Sequence, residues 1–182
     1  MPVYVSMLRG INVGGHKLIK MEKLRAAFVA LGFEDVQTYI QSGNVVFKAT
    51  KTTPAALSKK IEEKILKDFG FSVPVISRTQ EELGKAIQSN PFLKKPGIDL
   101  EKLHVTFLAE PPAAPGLKKL AEYTIAPDGS CCVGSHVYLH LPNGFSKSSL
   151  FKVPWEKALA VVTTTRNWKT VNTLYQMCQE CE

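Results

Sequence analysis

The chain has 182 residues, of which 45% are hydrophobic and 21% are charged. This length suits one large domain or two small ones, and the ordinary composition excludes a disordered or fibrous protein. Its apolar runs are too short to cross a membrane, and the N-terminus lacks the features of a signal peptide. We therefore expect a cytoplasmic protein that has no membrane contact.

The net charge is +7, because 23 lysine and arginine residues exceed 16 aspartate and glutamate residues. The excess is concentrated early: Arg9, Lys17, Lys20, Lys23 and Arg25 are accompanied in the first 30 positions by Glu22 alone. A basic chain favours anionic partners, such as phosphorylated small molecules or nucleic acid. A lysine-rich surface that binds nothing is the alternative.

The first half of the chain predicts six elements in the order β-α-β-β-α-β, which is the ferredoxin-like arrangement. In the two helices, apolar residues recur at spacings of three and four, and a glycine follows each helix as its stop signal. The predicted elements are the strand Val3–Leu8, the helix Lys20–Leu31, the strands Val36–Ile40 and Val45–Phe47, the helix Pro54–Phe69 and the strand Val73–Ser77.

The second half predicts a smaller α/β unit that ends in a helix, so that the whole chain is of the α+β class. The segment Asn90–Gly97, with its prolines and glycine, is the best linker, and it separates domains at residues 1–90 and 98–182. No repeat between the two halves is visible at the level of residues. The predicted elements are the helix Gln80–Ser89, the strand Leu103–Leu108, a turn at Pro111–Gly116 leading into a short helix, the strands Tyr123–Ala126, Cys131–Val133 and His136–Leu141 with a turn at Asp128-Gly129, and the helices Pro154–Ala160 and Trp168–Cys178.

Two polar loops of the first unit are expected to be neighbours. In this topology the third strand returns beside the first, so the end of the first strand and the turn before the third lie at one edge of the sheet. Glycine-rich backbone and an arginine can hold an anion there. The alternative is a tight connection whose glycines only permit positive φ. The candidate ligand-binding residues are Arg9, Asn12, Gly14 and Gly15 in the first loop and Ser42 and Asn44 in the turn.

A third polar segment, Thr163–Trp168, is predicted at the start of a helix. Threonines there would cap backbone N–H groups, and the same groups attract anions, so Arg166 and Asn167 join the candidate ligand-binding residues. Trp168 is interpreted either as a stacking surface for a ring or as a buried residue beside an ordinary cap.

The cysteines and histidines assign no metal and no catalytic residue. Cys178 and Cys181 have the spacing of half a zinc site, but the vicinal pair Cys131 and Cys132 does not supply the usual second half. We expect free thiols, no metal and no cofactor. The four histidines have no serine or aspartate partner evident in the sequence, which therefore leaves open whether the protein is an enzyme.

Several segments resemble the signature segments of a bacterial family catalogued as domain of unknown function 1697. They are Leu8–Gly15, Tyr39–Phe47 and Thr165–Trp168, together with Asn90–Phe92 and Leu141–Gly144. Lys169 departs from the pattern, which has asparagine after the tryptophan. The resemblance spans nearly the whole chain and implies a cytoplasmic α/β protein of ferredoxin-like character. It implies no activity, ligand or catalytic residue.

These observations lead to one hypothesis and two alternatives. The leading hypothesis is a site for a phosphorylated or otherwise anionic small molecule, formed by the three polar segments. A nucleic-acid-binding module is less favoured, because the first and third strands offer only Tyr4 and Phe47 as an aromatic platform. An interaction protein without a ligand is the remaining alternative.

Overall fold

Two four-stranded antiparallel sheets with helices make up the chain, in a computed structural model that describes all residues from Met1 to Glu182. By their contacts, residues 1–84 and 173–182 form one compact unit, and residues 85–172 form another. The predicted α+β class is confirmed. Among the helices, none combines the length and apolar character needed to cross a bilayer.

The first unit has the strand order β2-β3-β1-β4, and every neighbouring pair is antiparallel. This order is compatible with the predicted ferredoxin-like arrangement. Local signals set the limits of α2, because Thr53 Oγ1 accepts a hydrogen bond from the Ala56 N–H group at its start and Gly70 adopts a left-handed conformation at its end. The elements are β1 (Val3–Leu8), α1 (Met21–Ala30), β2 (Glu34–Tyr39), β3 (Asn44–Lys48), α2 (Pro54–Phe69), β4 (Val75–Thr79) and α3 (Gln80–Gln88), the last crossing the division between the units.

An aromatic core packs between this sheet and its helices. The Phe33 and Phe47 rings stack with centroids 4.5 Å apart, and Phe28 meets Phe47 edge-on. Tyr4 and Phe47 are 1% and 0% exposed, so neither ring is available for stacking on a nucleic-acid base. The sheet therefore lacks the aromatic platform that RNA-binding sheets of this topology use on these strands.

The second unit repeats the order β-α-β-β-α-β, and its sheet has the equivalent strand order β6-β7-β5-β8. The two halves of the chain thus share one topology. A second apolar core around Leu108, Leu139 and Leu159 supports this sheet. The elements are β5 (Leu103–Leu108), α4 (Ala114–Tyr123), β6 (Gly129–Val133), β7 (His136–His140), α5 (Trp155–Leu159), β8 (Thr163–Asn167) and α6 (Trp168–Glu180).

Two predictions for the second half are wrong. Residues Tyr123–Ala126 are not a strand, because α4 begins in the proline turn, where Pro115 suits the first helical positions, and continues to Tyr123. Asp128-Gly129 consequently does not join two strands, because Gly129 begins β6, whereas the hairpin between the other two predicted strands is present as β6 and β7. Residues Thr163–Asn167 form β8 instead of a helix start, which agrees with the strand preference of β-branched threonines.

The segment Asn90–Gly97 is anchored rather than free. Asn90 and Phe92 are buried, and Asn90 Oδ1 accepts a hydrogen bond from the Phe92 N–H group at the start of a short 3₁₀ helix. The division between the units falls a few residues earlier, within α3, and residues 173–182 group with the first unit. The observed units thus differ from the boundaries at 1–90 and 98–182 that composition suggested.

Candidate functional site

The two polar loops of the first unit are in contact, as their strand order predicts. Asn12 Nδ2 donates a hydrogen bond of 2.8 Å to the Gln41 carbonyl oxygen, and the Leu8 N–H group donates one of 2.8 Å to the Gly43 carbonyl oxygen. We refer to residues 9–17 and 40–44 together as the loop pair. It brings six of the eight candidate residues to one edge of one sheet.

Asn12 links the two segments of the loop pair through the hydrogen bonds of its side chain. Its backbone is left-handed, with φ of 55°. Its Oδ1 accepts a 2.8 Å hydrogen bond from the Ile19 N–H group, and its Nδ2 donates to the Ile19 carbonyl oxygen at 3.0 Å as well as to Gln41. Both ends of the carboxamide are therefore engaged within the protein, and Asn12 sets the shape of the site.

Gly14 and Gly15 form the exposed tip of a small hairpin. The Asn12 N–H group donates to the Lys17 carbonyl oxygen, and the His16 N–H group donates to the Val13 carbonyl oxygen. The φ angles of the two glycines are 59° and 75°. Two consecutive left-handed residues are the requirement of a type I′ turn, which explains why both positions are glycine.

Asn44 and Gly43 fix the second loop. Asn44 is fully buried, and its Nδ2 donates to the Tyr39 carbonyl oxygen at 3.0 Å and to Ser42 Oγ at 3.1 Å. Gly43 has φ of 85°, and a Cβ atom there would lie 2.6 Å from Ile11 Cδ1. The turn therefore packs too closely on the first loop for any larger residue. Ser42 is half-buried beside it.

Backbone strain is concentrated in the loop pair. Five non-glycine residues of the chain have positive φ, and three of them, Asn12, Lys17 and Ile40, belong to the loop pair. A β-branched residue is especially unfavourable in this region, and Ile40 adopts φ of 53° while 49% exposed. Packing of the Ile40 side chain does not explain this conformation.

Arg9 supplies a cation at the base of the loop pair. Its backbone N–H group donates to the Pro74 carbonyl oxygen at 3.0 Å, which ties the loop to the residues that precede β4. The side chain is half-buried, and this burial lowers the pKa of its guanidinium group. A second cation is placed nearby, because Lys17 Nζ donates to the Ser72 carbonyl oxygen at 2.7 Å.

The third polar segment belongs to the second unit, and its predicted role at a helix start is wrong for Arg166. Arg166 lies in β8, where it pairs with Val105. Its Nη1 donates to Thr164 Oγ1 at 2.8 Å and to the Thr165 carbonyl oxygen at 2.9 Å. The side chain is 8% exposed, and desolvation lowers its pKa to about 10.

The N-terminus of α6 is capped by Asn167 and not by the threonines that precede it in β8. Its Oδ1 accepts a 2.8 Å hydrogen bond from the Thr170 N–H group in the first turn of α6. Trp168 is 6% exposed, so of the two interpretations of this residue the buried one is observed. The carboxamide oxygen of Asn167 thus has a structural partner.

Arg78 occupies in the first unit the position that Arg166 occupies in the second, and sequence reasoning missed it. Arg78 pairs with Val5 across β4 and β1, as Arg166 pairs with Val105 across β8 and β5. Each Nη1 donates a 2.9 Å hydrogen bond to the preceding carbonyl oxygen, and both side chains are buried. The signal in the sequence is short: an arginine, then a capping residue, then a helix.

Hydroxyl pairs next to the two arginines repeat in the same way. Ser6 Oγ and Ser77 Oγ lie 2.7 Å apart across β1 and β4, and Thr106 Oγ1 and Thr165 Oγ1 lie 2.7 Å apart across β5 and β8. Both pairs stand one register position from the arginine. The strand-to-helix junction is therefore a repeated unit of structure with little repeated sequence.

The cysteines do not form a metal centre. No group of three or more histidine, cysteine, aspartate or glutamate side chains is arranged to hold a metal ion. Burial raises the pKa of Cys178 to about 12, which disfavours the thiolate form that metals bind. All four thiols are free.

Comparison with known proteins identifies a family without a described activity. The family model described as "Protein of unknown function (DUF1697)" matches residues 1–138. A similar solved structure is that of the conserved bacterial protein SP0830 from Streptococcus pneumoniae, with a TM-score of 0.77 and 25% identity over 97% of this chain and 98% of that one. No significantly similar protein is found among the curated proteins. The chain therefore belongs to the DUF1697 family.

Proposed function

We propose that the protein binds a phosphorylated or otherwise anionic small molecule at the loop pair, with Arg9 as its main cation. The observation that carries this proposal is the concentration of strained backbone beside a half-buried arginine. Residues in sparsely populated backbone regions cost about 1–3 kcal/mol each and cluster at binding sites, where the surrounding structure holds them in place.

The chemistry of the loop pair suits an anion. A guanidinium group can form two parallel hydrogen bonds to a phosphate or carboxylate, and burial strengthens such bonds. Because burial lowers the pKa of Arg9, a bound anion would stabilise its charged form and raise that pKa again. The exposed backbone at Gly14 and Gly15 and the hydroxyl group of Ser42 are further candidate donors.

The candidate residues divide into two roles under this proposal. Arg9, Gly14, Gly15 and Ser42 contact the ligand, whereas Asn12 and Asn44 hold the loops through their internal hydrogen bonds. In the second unit, Arg166 and Asn167 maintain the junction between β8 and α6 through their own bonds. They are not part of the proposed site.

The test is a binding assay with phosphate and a panel of phosphorylated metabolites, followed by thermal shift and calorimetry. A ligand present at 100 times its Kd stabilises the folded protein by about 2.7 kcal/mol. Arg9→Gln should weaken binding at least tenfold, while Lys59→Gln, a change on the exposed face of α2, should leave it unchanged. Equal binding by wild type and Arg9→Gln would refute the proposal.

Nucleic acid is the alternative occupant, favoured by the net charge of +7. A polynucleotide that contacts several phosphates loses affinity steeply as salt rises, because counterions are released on binding. A single anion at Arg9 shows a shallow salt dependence. Titration with a short oligonucleotide at low and physiological salt separates the two, and a steep slope with no metabolite binding would favour the nucleic-acid function.

A further inference from the structure

A cleft of about 270 Å³ lies at the end of the first sheet that is remote from the loop pair. It is bounded by the connection from α1 to β2, by the connection from β3 to α2 and by the first turns of α2. Its floor is formed by the hydrophobic residues Phe33, Ala49 and Leu57, which are 5%, 2% and 2% exposed.

The charged residues that line this cleft are both lysines, Lys51 and Lys60. Lys60 is held in place, because its Nζ donates to the Leu31 carbonyl oxygen at 3.2 Å and lies 5.3 Å from the centroid of the Phe33 ring. Lys51 is exposed. Two cations without an acidic residue in the same lining favour an anion over a cation there.

The polar wall of the cleft is rigid. Tyr4 Oη accepts a hydrogen bond from the Thr52 N–H group at 3.1 Å and donates one to the Thr52 carbonyl oxygen at 3.0 Å. Tyr4 is itself fixed in the aromatic core. The backbone beside Lys51 is therefore held in one conformation, which reduces the entropy that a ligand would lose by ordering it.

We propose that this cleft binds a small organic anion, with a compact apolar body on the Leu57 side and a carboxylate or phosphate group between Lys51 and Lys60. The volume equals that of about nine water molecules at ~30 Å³ each, which suits a ligand of about ten non-hydrogen atoms. The apolar floor and the two lysines together select against both neutral molecules and bare inorganic ions.

This site is separate from the loop pair and does not rest on the proposed function. Val3 pairs with Lys48 and Met7 pairs with Asn44, so the cleft and the loop pair lie at opposite ends of β1. Six residues of extended strand span about 17 Å. Substitutions at one site should therefore leave binding at the other unchanged.

The experiment is a titration of ¹⁵N-labelled protein with benzoate and phenyl phosphate, using benzyl alcohol and inorganic phosphate as comparison probes. Benzoate or phenyl phosphate should produce saturable shifts of the Thr52 and Ala56 amide signals. Lys51→Gln and Lys60→Gln should each raise the Kd at least tenfold, whereas Arg9→Gln should not change it. Lys51→Gln is the more decisive variant, because the Lys60 side chain also contacts Leu31 and Phe33.

Three results would overturn the proposal. The first is the absence of saturable shifts at these amides with millimolar benzoate and phenyl phosphate. The second is unchanged affinity in Lys51→Gln, since the charge would then have no role. The third is that benzyl alcohol or inorganic phosphate binds as tightly as benzoate and phenyl phosphate. Equal binding of benzyl alcohol would show that the charge is not recognised, and equal binding of inorganic phosphate would show that the apolar body is not recognised. If Arg9→Gln and the wild type bind anions equally at the loop pair while benzoate still binds in the cleft, only the proposed function is refuted.

Discussion

Replacing Gly43 with alanine should disrupt the loop pair more than the same change at its other glycines, where a new Cβ would meet no atom closer than 3.8 Å. The new Cβ would lie 2.6 Å from Ile11 Cδ1 and 3.0 Å from Leu8 Cβ. Ile11 is 1% exposed and has little room to rotate, and Leu8 Cβ is fixed to the backbone of β1. Overpacking of this kind costs about 1–3 kcal/mol. The left-handed φ of 85° adds about 1–2 kcal/mol for any residue with a Cβ.

Gly70→Ala is the matched control, because Gly70 has φ of 79° and no neighbouring atom within 4 Å of a new Cβ. Both variants carry the left-handed penalty and the same change in the unfolded chain, so their difference isolates the steric contact. Urea unfolding should place Gly43→Ala about 1–3 kcal/mol below Gly70→Ala in the free energy of unfolding. Equal destabilisation of the two variants would refute the close approach of the turn to Ile11.

Three further outcomes can be measured. Asn12→Ala should lower the free energy of unfolding by about 2–3 kcal/mol in a urea titration, because the Ile19 and Gln41 backbone groups lose their partner; a loss below about 0.5 kcal/mol would contradict its structural role. Burial raises the pKa of Cys178 from 9.0 to about 12, so the unfolded chain loses this proton first, and stability should fall from pH 9 upward by up to ~1.4 kcal/mol per pH unit. In Cys178→Ala, the free energy of unfolding should fall less steeply with pH over this interval. Identical slopes for the variant and the wild type would argue against the raised pKa of Cys178. Arg166→Ala and Arg78→Ala should each lower the free energy of unfolding by about 2 kcal/mol or more in a urea titration, since each removes a buried, hydrogen-bonded side chain. An unchanged free energy of unfolding for Arg166→Ala would instead favour a role in ligand binding.

Prediction from sequence is most accurate where the capping residues and the spacing of the core residues indicate the same element. Helix α2 has a proline at its first position, apolar residues at helical spacing and Gly70 at its end, and its observed bounds equal the predicted ones. The contact between the first two polar loops follows from strand order alone. These features depend on periodicity and topology, which are visible in one sequence.

The failures arise where tertiary pairing decides the structure. Threonines at positions 163–165 suit both a helix cap and a strand, and pairing with β5 selects the strand. Arg166 consequently lies within a sheet rather than at a helix N-terminus. Likewise, the glycines at positions 14 and 15 suit several loop conformations, and only the backbone angles show that they form a I′ turn.

The cleft that contains Lys51 and Lys60 was missed because its lining comes from three separate segments of the first unit. Neither lysine belongs to a recognisable motif, and the sequence pattern of α2 predicts only that Lys60 lies on its solvent-exposed face. Its position over Phe33 depends on how α2 packs against the connection from α1 to β2. Such packing is not encoded in any local pattern.

The grouping of residues 173–182 with residues 1–84 has a consequence for synthesis on the ribosome. Leu174 and Cys178 are fully buried, and Tyr175 packs within about 3 Å of where a side chain on Gly84 would begin. Residues 1–84 are synthesised first, yet these buried residues of the same unit follow the whole of residues 85–172. During translation, the first six elements therefore gain the packing of these residues only after residues 85–172 have been synthesised, so completion of those six elements does not by itself give this unit its full stability.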